Sequence, residues 1–153
     1  MMLTISHAKR GKFGSVIVTW AGKRHKLTTM KTLELREKLI EPFLVYDYGD
    51  MQRFERLPLF VLKELIEGDF VDMGSWNNCP GVEQLFLPLM EKHPSYCAHG
   101  YVISHDRADK RITVEGLETS CELSTDDLAD FFLTFKGADT LRFLNGVAYC
   151  WYD

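Results

Sequence analysis

The chain has 153 residues, of which 46% are hydrophobic, and a formal net charge of −4 at pH 7. This length predicts a single domain over residues 1–153 that buries about 70% of its unfolded surface, so it needs no disulfide or metal to stabilise its core. No apolar run approaches the ~20 residues needed to cross a bilayer, and the first residues lack a secretory signal, so we expect a cytoplasmic protein without membrane contact.

Charge is divided unevenly along the chain. Residues 1–40 carry nine basic and two acidic side chains, a net charge of +7, whereas residues 41–153 carry nine basic and twenty acidic ones, a net charge of −11. This division is typical of an anion-binding arm on an acidic body, and equally of a basic sheet packed beside acidic helices.

The first third of the chain predicts a strand meander followed by a helix. Alternating or β-branched apolar residues predict strands over residues 3–6, 13–20 and 25–30, with basic turns at 9–12 and 21–24. Leucines one turn apart predict a helix over residues 32–41, which Pro42 ends, and a short strand follows at 43–46.

The middle third is less regular. Pro58 can open a second helix, and Gly68 can supply its left-handed C-terminal cap. Residues 68–81 form the longest stretch without periodicity, and a loop of this length is often functional. Residues 82–92 predict either a helix kinked at Pro88 or a strand over 82–87 followed by a later helix.

The last third predicts two hairpins separated by a helix. Residues 98–104 and 111–117 flank a polar turn, and residues 140–144 and 147–152 flank Asn145-Gly146, a type I′ turn signal. Between them, Ser124 can cap a helix with an apolar stripe of phenylalanines. The whole pattern predicts an α+β fold: a mainly antiparallel sheet built from the N-terminal meander and the two C-terminal hairpins, with three to four helices packed on it.

The basic N-terminal sheet is the first candidate site, because lysine and arginine bind phosphates by releasing counterions. The anion-binding candidates are Lys9, Arg10, Lys12, Lys23, Arg24 and Lys26. The two basic turns are expected at opposite ends of the second strand, about 25 Å apart at ~3.3 Å per residue. Because they form no compact patch and the rest of the chain is acidic, nucleic-acid binding is the least favoured of three functions.

Cysteine and histidine supply the weak metal candidates. Cys97 and His99 have the same parity on a predicted strand and can reach one ion, but His105 lies ~20 Å further along. Zinc needs three or four ligands, so we predict no metal site and no cofactor. Reduced thiols are expected at all four wide-spaced cysteines, which are Cys79, Cys97, Cys121 and Cys150.

Cys79 is the candidate nucleophile. If a helix begins at Pro80, its dipole lowers the pKa of the Cys79 thiol and favours the thiolate. A histidine can then act as base, and Asn77 or Asn78 can orient it or donate to an oxyanion. A small thiol-dependent enzyme is therefore the alternative function.

The leading prediction is a non-catalytic binding or interaction module that acts as a homodimer or through a protein partner. Its main support is that the motifs G-x-x-x-x-G-K-[ST], G-x-G-x-x-G, H-E-x-x-H and G-x-S-x-G do not occur in the sequence. An aromatic-rich terminal strand is often buried, by its own chain or by another subunit. The predicted contact residues lie in the 68–81 loop and in that strand: Trp76, Asn77, Asn78, Cys79, Tyr149 and Trp151.

Overall fold

The computed structural model describes most of the chain. The described residues are 8–10, 16–20, 23–27, 30–75, 78–103, 111–119 and 122–153. Up to residue 32, only the backbone is described. Predicted elements at other positions, among them the strand over residues 3–6, lie outside the described residues.

The described part contains nine strands and four α-helices, which confirms the α+β class. The strands are β1 (Ala8–Arg10), β2 (Val16–Trp20), β3 (Lys23–Leu27), β4 (Leu44–Asp47), β5 (Met51–Pro58), β6 (Tyr96–Ile103), β7 (Ile112–Thr119), β8 (Thr140–Leu144) and β9 (Val147–Trp151). The helices are α1 (Met30–Ile40), α2 (Leu59–Glu67), α3 (Leu87–Lys92) and α4 (Thr125–Thr134), with a 3-10 turn at Glu41–Phe43 and a π-helix at Val82–Phe86.

The described strands form two separate antiparallel sheets. The N-terminal meander forms a three-stranded sheet of its own in the order β1-β2-β3, and β1 occupies positions where a turn was predicted. The second sheet has six strands in the order β4-β5-β6-β7-β9-β8. Both predicted C-terminal hairpins are confirmed within it, β6 with β7 and β8 with β9. The sequence pattern did not predict β5, which joins β4 to the hairpins.

The predicted cap at the start of α4 is confirmed, but the predicted cap at the end of α2 is wrong. Ser124 caps α4, and its Oγ accepts a hydrogen bond from the Asp127 N–H at 3.1 Å. Gly68 was predicted to be left-handed, yet its φ is −74°. Asp69 takes the left-handed position with φ 63°. The N–H of Asp69 then donates to Ile66 O and that of Phe70 to Leu65 O, a Schellman ending shifted by one residue.

Residues 82–92 are helical, so the strand alternative is wrong. A π-helix over Val82–Phe86 continues directly into α3. Pro88 lies in the first turn of α3, where the wider π-turn before it accommodates the proline ring and its missing N–H.

One face of the six-stranded sheet packs on helices and forms the core. Phe54, Leu57, Val114 and Leu117 of the central strands lie in the same buried cluster as side chains of α2, α4 and the π-helix. The loop after α2 joins this core, because Val71 bridges to Ile112 in parallel. Among the described residues, no helix has the length and apolar character to span a membrane.

Candidate functional site

The other face of the six-stranded sheet carries polar and aromatic side chains. Antiparallel partners directly opposite each other project to the same side. Arg53 lies opposite Tyr101, Glu118 opposite Tyr149, and Tyr149 opposite Arg142. Here this surface is called the open face; it is made by Arg53, His99, Tyr101, Glu118, Arg142, Tyr149 and Trp151.

A layered stack lies at the centre of the open face. The His99 ring lies between Tyr149 and Trp151, with ring centroids 4.5 Å and 5.2 Å away and planes 18° apart in both pairs. The Arg53 guanidinium lies 4.4 Å from the centre of the Trp151 ring, and that of Arg142 lies 4.3 Å from the centre of the Tyr149 ring. These cation–π contacts cover the aromatic rings and leave Tyr149 and Trp151 each 8% exposed.

His99 is held neutral within this stack. Its Nε2 lies 2.6 Å from Cys150 O, so Nε2–H donates and Nδ1 carries no proton. Nδ1 is buried and has no hydrogen-bond partner among the described atoms. Burial, and then the charges of Arg53 and Arg142, lower the pKa of His99 to about 3. A fully buried imidazole of this kind orders the sheet rather than serving as a base for a bound substrate.

A bulge beside His99 buries a carboxylate. His99 lies opposite Gly116 and Gly100 opposite Val114, so Glu115 is the extra residue of β7. Glu115 is 2% exposed, and its Oε1 accepts a hydrogen bond from Thr113 Oγ1 at 3.1 Å. Burial raises the pKa of Glu115 to about 7, in spite of that hydrogen bond. Glu115 therefore titrates close to neutral pH.

One end of the open face forms a cleft of about 510 Å³. Its lining includes Cys97, Glu118, Arg142 and the exposed Arg56. Arg56 Nε donates to Glu118 Oε1 at 3.2 Å, and burial raises the pKa of Glu118. Two arginines and one glutamate therefore meet where the sequence suggested only Cys97.

Cys79 lies in the hydrophobic core. It is 4% exposed, and its Sγ is 3.6 Å from Val114 O. The helix begins at Val82 with Gly81 as its N-cap, so the helix end does not reach the thiol. Burial, followed by the charge of Glu115, raises the pKa of Cys79 to about 12. This shift is opposite to the one that an activated nucleophile needs.

The remaining loop candidates do not gather around Cys79. Asn78 is exposed, whereas Trp76 and Asn77 lie outside the described residues. His99 belongs to the stack on the open face, while Cys79 belongs to the core. No hydrogen bond links Cys79 to a histidine within the described part of the chain.

In the folded protein at pH 7, iodoacetamide should modify Cys97 well before Cys79. Raising a thiol pKa from 9.0 to about 12 lowers the thiolate fraction about 1000-fold. Cys97 is half-buried and borders the cleft. Peptide mapping by mass spectrometry gives the rate at each cysteine, with the urea-unfolded protein as control. Equal native rates for Cys79 and Cys97 would contradict this structural role for Cys79.

The metal candidates have other partners. Cys97 and His99 both lie on the open face, but His99 is committed to Cys150 O and the aromatic stack. Among the described residues, no group of three or more His, Cys, Asp or Glu side chains could hold a metal ion. His105 lies outside those residues.

The register of the three-stranded sheet places the basic candidates in two groups. Ile17 lies opposite both Lys9 and Lys26, so these two residues share one row. Neighbouring strands are ~4.8 Å apart, which puts their backbones about 10 Å from each other. Lys23 and Arg24 lie opposite Trp20 and Thr19 at the far end of β2. Arg10 is next to the first group, and Lys12 lies outside the described residues.

The terminal hairpin exposes different residues from those predicted. Tyr149 and Trp151 share one face, as expected, but the stack buries them. On β8, in contrast, Phe143 is 49% and Leu144 is 63% exposed. Sequence periodicity could not single these two out, because their exposure follows from the position of β8 at the sheet edge.

No protein-family model, curated protein or solved structure matches this chain. Function is therefore inferred from the sheet edges and from the chemistry of the open face.

Proposed function

We propose that the protein is a non-catalytic interaction module that forms a homodimer by pairing β8 with β8 of a second copy. The observation that carries this proposal is an apolar, unguarded edge strand. β8 is the last strand of the six-stranded sheet, and four of its five residues are exposed. No described strand pairs with its outer side.

The geometry of β8 suits strand addition. Its pairing with β9 runs without a shift from Thr140 opposite Trp151 to Leu144 opposite Val147. It contains no proline and no bulge, and its exposed apolar side chains are Phe143 and Leu144. An exposed edge of this kind is a template for another strand.

The opposite edge of the sheet is guarded. β4 also has exposed apolar side chains, but its register shifts between Leu44 and Tyr46. A bulge interrupts the row of backbone donors and acceptors, and the strand ends in Asp47. β4 therefore offers a matched control strand on which the same substitution should have little effect.

The partner of β8 in this proposal is a second copy of the chain, because β8 can pair with itself without placing like charges opposite each other. Antiparallel pairing of β8 with itself is two-fold symmetric, as expected for a homodimer. Centring the pair on Phe143 places Phe143 opposite Phe143 of the partner subunit and Arg142 opposite Leu144 of the partner subunit. This register forms an aromatic pair and keeps the two arginines from lying opposite each other.

Phe143→Lys should weaken the dimer, because a lysine on the edge blocks strand pairing. We expect a dimer of the wild-type chain by native mass spectrometry and sedimentation velocity, and at least about tenfold weaker association for Phe143→Lys. Val45→Lys on β4 is the control and should remain dimeric. A wild-type chain that stays monomeric at about 100 μM, or equal loss in both variants, would overturn the proposal.

A further inference from the structure

The cleft on the open face has the size and the lining of a small-molecule site. Its volume of about 510 Å³ lies within the range of ligand pockets. Its floor follows one row across four strands, in which Cys97 lies opposite Glu118, Glu118 opposite Tyr149, and Tyr149 opposite Arg142. Leu144 and Val147 form an apolar wall. The cleft is thus built by the sheet itself and not by a mobile loop.

Arg56 reaches the cleft because β5 is bulged. Phe54 lies opposite Gly100 and Leu57 opposite Ala98, so β5 has one residue more than β6 in this interval. Arg56 takes the left-handed backbone conformation, with φ 58°, which is disfavoured for a residue other than glycine. Its guanidinium spans β6 to bind Glu118 on β7. The Nη groups bind no described residue and remain available as donors.

Arg142 approaches the cleft from the opposite side. Its guanidinium is held on the Tyr149 ring at 4.3 Å from the ring centre. A stacked guanidinium still donates hydrogen bonds in its own plane. Arg142 forms no ion pair within the described part of the chain, although Glu118 lies close enough for the two charges to interact.

Thr119 is a buried residue beside the cleft. It is 0% exposed, and its Oγ1 accepts a hydrogen bond from the Ala148 N–H at 2.9 Å. With Glu118 committed to Arg56, the charged lining carries a net charge of +1, while the whole chain carries −4.

We propose that this cleft binds a small organic anion, whose carboxylate or phosphate group lies between Arg56 and Arg142. The apolar part of the ligand packs on Leu144 and Val147. Planar guanidiniums bind both oxyanions with paired hydrogen bonds, so the two ligand classes share one recognition chemistry. Arg56 and Glu118 lie on β5 and β7, away from the edge of β8, whereas Arg142 and Leu144 belong to β8 itself, so the cleft shares that strand with the proposed dimer contact.

The test uses inorganic phosphate and hexanoate as probes, titrated at constant ionic strength while backbone amide shifts are followed by NMR. We expect saturable shifts at Thr119 and Asn145, with binding at least about tenfold weaker in Arg142→Gln and in Arg56→Gln. Arg111→Gln is the matched control, because Arg111 is a half-exposed arginine near Asp72, outside the cleft. Thermal unfolding checks that each variant is folded.

The two probes separate the sources of the anion. Saturable binding of phosphate alone assigns phosphate esters, and binding of hexanoate alone assigns carboxylic acids; both results support the site. The proposal would be overturned if neither probe saturates at about 10 mM, or if Arg111→Gln weakens binding as much as Arg56→Gln and Arg142→Gln do. Sedimentation of the same samples reports the dimer separately, so failure of one proposal is distinguishable from failure of the other.

Discussion

Gly116→Ala should destabilise the protein by about 3 kcal/mol or prevent it from folding. Gly116 lies on β7 directly opposite His99. A Cβ atom at this position would overlap both Cys150 O and His99 Nε2. The first belongs to the backbone of the neighbouring β9, and the second to a ring clamped between Tyr149 and Trp151. Neither group can move without breaking the centre of the sheet.

Gly137→Ala is the control for this substitution. A Cβ at Gly137 would meet no atom within 4 Å, so we expect its effect to stay within about 0.5 kcal/mol. Urea unfolding of both variants and of the wild type gives the free energies directly. A Gly116→Ala midpoint equal to that of the wild type would show that the His99 ring does not lie against β7.

Local signals predicted the elements whose stabilising contacts are close in sequence. The helix α4 follows from the Ser124 cap and the spacing of Phe131 and Phe135, all of which are used as expected. The last hairpin follows from Asn145 and Gly146, whose φ values of 52° and 81° are those of a type I′ turn. In both cases the sequence pattern and the physical cause lie within about ten residues.

The strand β5 escaped prediction because its bulge hides the period of two. Its buried residues Phe54 and Leu57 are three positions apart, whereas a regular strand would place them two or four apart. The same bulge directs Arg56 towards the cleft. The feature that builds the candidate site is thus the one that conceals the strand.

The stack on the open face could not be predicted, because it depends on contacts between residues that are far apart in the sequence. The sequence correctly placed Tyr149 and Trp151 on one face, but it could not supply what covers them. Arg53 hydrogen-bonds Tyr149 across 96 positions, and His99 contacts Cys150 across 51. Such pairs follow from strand order, which periodicity leaves undetermined.

Glu115→Gln should stabilise the protein at pH 8 and have little effect at pH 4. Burial raises the pKa of Glu115 from 4.5 to about 7, so the native state retains a proton that the unfolded chain has already released. Stability therefore falls as pH rises from 4.5 to 7, by at most about 3 kcal/mol. Glutamine removes this loss because it stays neutral and can still accept from Thr113 Oγ1.

The titration of His99 changes the stability of the protein with pH in the opposite direction, and over a wider pH range. Its pKa is lowered from 6.5 to about 3, so between these values the unfolded chain binds a proton that the native state does not. Stability is lost as pH falls through this window, by about 1.4 kcal/mol per unit. From pH 6.5 to 4.5 the contributions of His99 and Glu115 cancel; below 4.5 only that of His99 remains.

The pair thus gives a two-part signature in urea unfolding measured at half-unit steps from pH 4 to 8. As pH falls from 6.5 to 4.5, the free energy of unfolding of the wild type should change little through these two groups. That of Glu115→Gln should decrease throughout the same interval, because only His99 still titrates in this variant. Glu122→Gln, at an exposed position, should stay within about 0.5 kcal/mol of the wild type at each pH. A difference between Glu115→Gln and wild type that is constant from pH 4 to 8 would mean that Glu115 ionises as it does in the unfolded chain, and that the bulge of β7 leaves it open to water.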